Sequence, residues 1–104
     1  MGTYKHAMPP VIFEARDIVG EGRYLQEVRI SAFPPHPDFP EGLRYSLCLV
    51  DRSTGEVVLL YDIHRGKSHH RHLRGKEEPY GFVDEDKLLD DFLREVDLMV
   101  EGKL

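Results

Sequence analysis

Hydrophobic and polar residues alternate along much of the chain up to residue 63, which predicts β-strands. Over residues 23–33, Val28 and Ile30 fall on one face of an extended chain, whereas charged side chains occupy the other. Comparable patterns predict three further strands, over residues 11–19, 43–50 and 56–63. The run VVLLY in the last of these is almost continuously apolar, so we expect that strand to be central and covered on both faces.

The connections between these strands contain turn residues. Gly20 and Gly22 follow the first strand, and the stretch DRSTG joins the third and fourth as a hairpin. Four prolines in PPHPDFPEG make the longer connection irregular, since proline is excluded from central strands. Short connections of this kind between consecutive strands favour an antiparallel sheet.

Apolar residues recur at helical spacing near the end of the chain. Asp84 is a suitable N-cap, Gly102 is placed to end the helix, and the stripe between them contains Leu88, Phe92, Val96 and Met99. The predicted fold is therefore α+β, with a four-stranded antiparallel sheet and one C-terminal helix packed on one face. At 104 residues we expect a single domain over 1–104, with residues 1–10 as an N-terminal arm.

Charge is distributed unevenly along the chain. The formal net charge is −5, yet the segment from His64 to Lys76 has no carboxylate and holds five cations. We expect residues 64–80 to form a functional loop rich in histidine and arginine. Cationic side chains bind phosphate, so the candidate phosphate-binding residues are Arg65, Lys67, Arg71, Arg74 and Lys76.

The histidines of this segment suggest acid/base chemistry, because imidazole exchanges protons near neutral pH. His69 and His70 are the leading candidates for general acid and base, and His64 and His72 are the alternates. Asp62, at the end of the preceding strand, is expected to orient an imidazole. Supporting roles fall to Glu77, Glu78 and Tyr80. Metal-free RNA cleavage needs only such groups and the 2′-hydroxyl of the substrate.

Two alternatives stay open. The histidines and Asp62 could bind zinc, but nearby cations oppose this and there is no cysteine pair, so we expect neither metal nor cofactor. The segment could instead be a noncatalytic basic loop that docks an acidic partner or nucleic acid. Cys48 is the only cysteine, and no apolar run approaches the ~20 residues of a membrane span. These features favour a cytoplasmic protein without membrane contact.

The segment LLYDIHRGKSHHRHLRGKEEPYGFVDEDKLLDDFLREV resembles the TumE family of prokaryotic toxin–antitoxin systems, and the resemblance extends over roughly residues 58–97. The matching motif positions are Tyr61, Asp62, Gly66, Lys67, His69, His70, Arg71, His72, Gly75, Glu77, Glu78 and Tyr80. The resemblance implies a small toxin encoded beside a helix-turn-helix antitoxin. By analogy with other small toxins it implies ribonuclease activity and RNA as a second partner. A homodimer is left open.

Overall fold

The protein was examined as a computed structural model, which describes residues 11–63 and 68–104. The expected N-terminal arm, residues 1–10, and the candidate residues His64, Arg65 and Lys67 lie outside the described residues. The elements are β1 (Val11–Val19), β2 (Tyr24–Ala32), β3 (Leu43–Asp51), β4 (Glu56–Ile63), β5 (His69–Leu73), β6 (Lys76–Pro79) and α1 (Glu85–Val100).

The strands form one antiparallel sheet in the order β1-β2-β3-β4-β5-β6. The α+β class, the antiparallel sheet and the C-terminal helix are confirmed, and the four expected strands lie within one residue of their predicted ends. The expected number of strands was wrong, because β5 and β6 extend the sheet to six. Both lie in residues 64–80, which the sequence had suggested as a loop.

The β5–β6 hairpin explains this difference. Its strands are so polar that composition alone is typical of a loop, but β5 pairs along its whole length with the interior strand β4. Arg74 and Gly75 form the two-residue connection with φ of 49° and 83°. Positive φ at both central residues is the geometry of the tight turns that match strand twist.

Helix α1 packs on one face of the sheet, here called the helix face. Asp84 caps the helix as expected, because its side chain accepts a hydrogen bond from the Lys87 N–H at 2.8 Å. The fully buried side chains of α1 include Leu88 and Phe92, and Phe92 meets the ring of Tyr61 edge-on at 5.7 Å. Gly102 follows the helix with φ of 75°, as its placement predicted. No helix in the described residues is both long and apolar enough to cross a membrane.

The opposite side of the sheet, here called the outer face, carries two cross-strand rows of side chains. One row runs Glu14, Arg29, Ser46, Asp62, His70 and Pro79, and the next runs Arg16, Glu27, Cys48, Leu60, His72 and Glu77. Strand β4 is interior, as expected, but the expectation that both of its faces are covered was wrong at its start, where Val57 is 45% exposed. The register between β3 and β4 shifts at this point, which turns Val57 outward.

Candidate functional site

Strand β5 separates neighbouring histidines onto opposite faces of the sheet. Successive side chains of a strand point to opposite sides, so His70 and His72 lie on the outer face. His69 and Arg71 lie on the helix face. The HHRH run therefore divides into two groups of side chains, one on each face of the sheet, with different surroundings.

Asp62, His70, His72 and Glu77 form the outer His cluster. His70 Nδ1 lies 3.1 Å from Glu77 Oε2, and His72 Nδ1 lies 4.0 Å from Glu77 Oε1. On its other side, His72 Nε2 lies 3.4 Å from Asp62 Oδ1. The two imidazole centroids are 6.5 Å apart, with side chains 16% and 21% exposed. Two half-buried imidazoles are thus bracketed by two carboxylates.

This arrangement suits proton transfer. A carboxylate beside an imidazole nitrogen fixes the orientation of the ring and favours a proton on that nitrogen. Glu77 lies within hydrogen-bonding distance of His70 but 4.0 Å from His72, so its closer contact is with the His70 ring. Within residues 11–63 and 68–104, no group of three or more histidine, cysteine, aspartate and glutamate side chains is arranged to hold a metal ion.

His69 is packed into the protein rather than facing the outer cluster. Its ring stacks on Phe82 at 4.4 Å and on Tyr45 at 5.6 Å, and its side chain is only 8% exposed. Burial, followed by nearby groups such as Asp62 and Glu41, raises the pKa of Tyr45 above its ordinary value. The Tyr45 hydroxyl forms a hydrogen bond with His69 Nδ1 at 2.7 Å. His69 Nε2 lies 3.2 Å from Glu41 Oε2.

Arg71 is held in an ion-pair network under the helix. Its Nε donates to Glu95 Oε1 at 2.7 Å, a second guanidinium nitrogen bonds the other oxygen of Glu95, and a third bonds Glu78. The Tyr61 hydroxyl also donates to Glu95. Burial raises the pKa of Glu95, but the hydrogen bonds from Arg71 and Tyr61 outweigh burial and hold it below its ordinary value. The geometry favours a structural role for Arg71, since it joins β5 to α1.

The remaining candidates near the hairpin also contact the helix or lie at its tip. Tyr80 donates to Asp91 Oδ2 at 2.6 Å and packs edge-on against Tyr61 at 5.0 Å, which anchors the chain after β6 to α1. Arg74 reaches the carbonyl oxygen of Leu104 at 3.2 Å beyond the C-terminal end of the helix. Lys76 is exposed beside the turn.

Sequence reasoning missed several partners of these residues, above all Glu41 and Glu95. Glu41 lies in the proline-rich connection, and no local pattern relates it to His69. Glu95 could have been found, because it lies three residues after Phe92 and four before Met99 on the apolar stripe of α1. A carboxylate on a buried helix face predicts a basic partner in the facing sheet.

Comparisons with known proteins agree with the motif of residues 58–97. No curated protein and no solved structure matches the chain significantly. The sequence profile of a family described as toxin TumE matches residues 9–100, which include all six strands, the hairpin and the whole helix. The chain therefore belongs to the TumE family of toxins.

Proposed function

We propose that this chain is the toxin of a toxin–antitoxin pair and acts as a metal-independent endoribonuclease through the outer His cluster. The observation that carries the proposal is the pair of imidazoles 6.5 Å apart, both beside Glu77. Two histidines at this separation can flank one phosphodiester, one on each side of the phosphorus. Enzymes gain about 10²–10⁴ in rate from a correctly placed general acid or base.

The proposed reaction uses the substrate's own nucleophile. One histidine takes the proton of the RNA 2′-hydroxyl, and the 2′-oxygen then forms a bond to the adjacent phosphorus. The bond from phosphorus to the 5′-oxygen breaks, and the second histidine gives its proton to that oxygen. The products are a 2′,3′-cyclic phosphate and a 5′-hydroxyl. His70 and His72 take these two roles, while Asp62 and Glu77 orient their rings. His64 remains a candidate from the sequence.

We assign phosphate binding to the cationic side chains that are not already bonded to helix α1. Arg71 is bonded to Glu95 and Glu78, so it stabilises the fold instead. Lys76 is exposed at the hairpin, and Arg65 and Lys67 remain predictions from the sequence. Such side chains would hold the phosphate and stabilise the charge that develops on it.

Membership of a toxin family implies an antitoxin partner. We propose, from the sequence resemblance, that this antitoxin has a helix-turn-helix fold and that the pair acts in the cytoplasm. An antitoxin that inhibits the activity proposed here would cover the outer His cluster. Its acidic side chains would occupy the place of the RNA phosphates.

The test is cleavage of a labelled single-stranded RNA by the purified chain in buffer containing EDTA. We expect products with 2′,3′-cyclic phosphate ends. His70→Ala and His72→Ala should each lower the rate by about 10²–10⁴ while the thermal melt stays close to that of the wild type. His36→Ala is the matched control, because His36 is exposed in the β2–β3 connection and should leave the rate unchanged.

His69→Ala serves as a structural comparison. We expect it to lower thermal stability, since it removes a ring stacked against Tyr45 and Phe82 and leaves the buried Tyr45 hydroxyl without its hydrogen-bond partner. Full toxicity in a folded His70/His72 double variant would contradict the proposal and favour the noncatalytic docking alternative. Activity that appears only after a metal ion is added would favour the zinc alternative.

A further inference from the structure

The two edges of the sheet differ in how well they resist pairing with another strand. The β6 edge is four residues long, with three charged residues and Pro79, which are features that discourage further pairing. The β1 edge is nine residues long and contains no proline. Among its exposed large apolar side chains are Ile12, Phe13 and Ile18, at 52%, 43% and 56% exposure. Although β1 carries three charged residues and a register irregularity between Val11 and Phe13, its length and its exposed apolar side chains make it the better site for strand addition of the two described edges.

The sequence of β1 is nearly symmetric about its centre. Read outward from Ala15 in VIFEARDIV, Glu14 is matched by Arg16, Ile12 by Ile18, and Val11 by Val19. Only the pair Phe13 and Asp17 departs from this symmetry. In an antiparallel pair of identical strands centred on Ala15, every residue except Phe13 and Asp17 would therefore meet a chemically suitable partner.

We propose that a second copy of this chain adds to the β1 edge, antiparallel and centred on Ala15, so that the two sheets become one. Glu14 then lies directly opposite the partner's Arg16, and by symmetry Arg16 lies opposite the partner's Glu14. Each of these charges already pairs within its own chain: Arg29 NH1 lies 2.5 Å from Glu14, and Arg16 Nε lies 3.7 Å from Glu27. The result is a row of side chains across the two paired β1 strands in which positive and negative charges alternate.

Neighbouring registers are unfavourable, which makes the pairing specific. Centring the pair on residue 14 places two Glu14 carboxylates opposite each other, and centring it on residue 16 does the same for two Arg16 guanidinium groups. Like charges directly opposite are destabilising. A shift by one residue is excluded for another reason, because it turns every side chain to the wrong face.

The proposed dimer has a definite geometry. Because the two-fold axis is perpendicular to the joined sheet, both helices lie on one side and both outer faces lie on the other. The outer His clusters of both copies would then share one continuous surface. The proposal rests on the composition and exposure of β1, so it is independent of ribonuclease activity.

Charge reversal tests the pairing, with molar mass measured by light scattering over a concentration series. Glu14→Arg places arginine opposite arginine in its own homodimer, and Arg16→Glu places glutamate opposite glutamate. Both substitutions change exposed side chains, so both variants are expected to fold. Two symmetric pairs change from attraction to repulsion, so the dissociation constant should rise about tenfold or more. Glu56→Arg reverses the charge of an exposed side chain at the start of β4, and its dissociation constant should equal that of the wild type.

The decisive measurement mixes the two variants. In a heterodimer of E14R with R16E, both pairs again join opposite charges, so the mixture should recover dimers that neither variant forms alone. A wild-type chain that is monomeric at all concentrations would overturn the proposal. So would a mixture that fails to recover the dimer. A monomeric chain whose E14R variant no longer binds the antitoxin would assign the β1 edge to the antitoxin instead.

Discussion

At the scale of single residues, the face of the sheet to which each β5 side chain points decides what the residues of the HHRH run can do. His70 and His72 face Asp62 and Glu77 on the outer face, while His69 is enclosed by aromatic rings on the other. The sequence identified the residue types and their concentration in one segment. It could not assign the faces, because that requires knowing that the segment is a strand and in which register it pairs.

The same reasoning applies to Arg71. In the sequence it is one of five cations, but its surroundings are determined by Glu95, which lies 24 residues away. The Arg71 side chain is 15% exposed and the Glu95 side chain 12%. This pair therefore affects the stability of the fold, and it does so in a pH-dependent way.

Glu95→Gln should destabilise the protein by on the order of 2 kcal/mol at neutral pH. Removing one partner of a fully buried ion pair costs about 3–5 kcal/mol, and the expected cost is smaller here because both side chains are partly exposed and Arg71 keeps its contact with Glu78. The pKa of Glu95 is lowered below its ordinary value of 4.5 in the folded protein. Its contribution is therefore fully present above that value and is lost as the pH falls through the folded pKa.

Urea unfolding between pH 7 and pH 3 measures this effect. The wild type should lose its advantage over Glu95→Gln as the pH falls below about 4.5. Both proteins keep a residual acid dependence, since hydrogen bonds from Ser53 and Arg23 lower the pKa of Asp51 to about 2. Glu101→Gln, which changes an exposed side chain after the helix, should behave as the wild type. A difference in stability between the wild type and Glu95→Gln that stays constant from pH 7 to pH 3 would contradict the role assigned to the Arg71–Glu95 pair.

At the scale of elements, the β5–β6 hairpin was not predictable from composition but is understandable from its turn. Strand patterns are recognised by apolar residues, and this hairpin contributes only Leu73 and Pro79 beside charged residues and histidines. What establishes β5 is its pairing with β4, which the alternation of apolar and polar residues within β5 does not reveal. The local signal was the Arg74–Gly75 turn, where Gly75 adopts the positive φ that favours glycine.

Gly75→Ala should cost about 1 kcal/mol of stability. A methyl group at this position meets no atom within 4 Å, so the cost comes from backbone strain at φ of 83° and not from a clash. Gly81→Ala is the matched control, because its site is equally open and its φ is not positive. Hydrogen exchange should show that β5 and β6 open more readily in the Gly75 variant. Equal exchange in both variants would mean that the turn does not hold the hairpin.

At the scale of the whole molecule, the meander order of strands explains why so much of the fold was predictable. Each strand pairs with the next in sequence, so the strand pattern and short connections were enough to predict the antiparallel sheet. The C-terminal helix followed from its apolar stripe and cap. The distribution of charge was predictable only in part, because ion pairing in the folded chain removes some cations from the surface.

The acidic body of the protein and its reduced set of available cations lead to a prediction about RNA binding. Arg71 is bonded to Glu95 and Glu78. Arg74 and Lys76 are both exposed, but Arg74 donates to the carbonyl oxygen of Leu104, which leaves Lys76 as the more available of the two candidate cations in the described part. Arg65 and Lys67 add to it from the sequence. Engagement of one or two phosphates predicts a slope of roughly −0.7 to −1.4 in log K against log salt for single-stranded RNA.

Titration of a fluorescent RNA at several salt concentrations measures that slope. Neutralising Arg65, Lys67 and Lys76 together should flatten it toward zero, because the charges that release counterions are then removed. Arg52→Ala, an exposed change in the β3–β4 connection, should leave it unaltered. Arg71→Ala should lower the melting temperature, with no direct loss of a phosphate contact. A steep slope that survives neutralisation of Arg65, Lys67 and Lys76 together would show that another surface of this acidic chain binds the RNA.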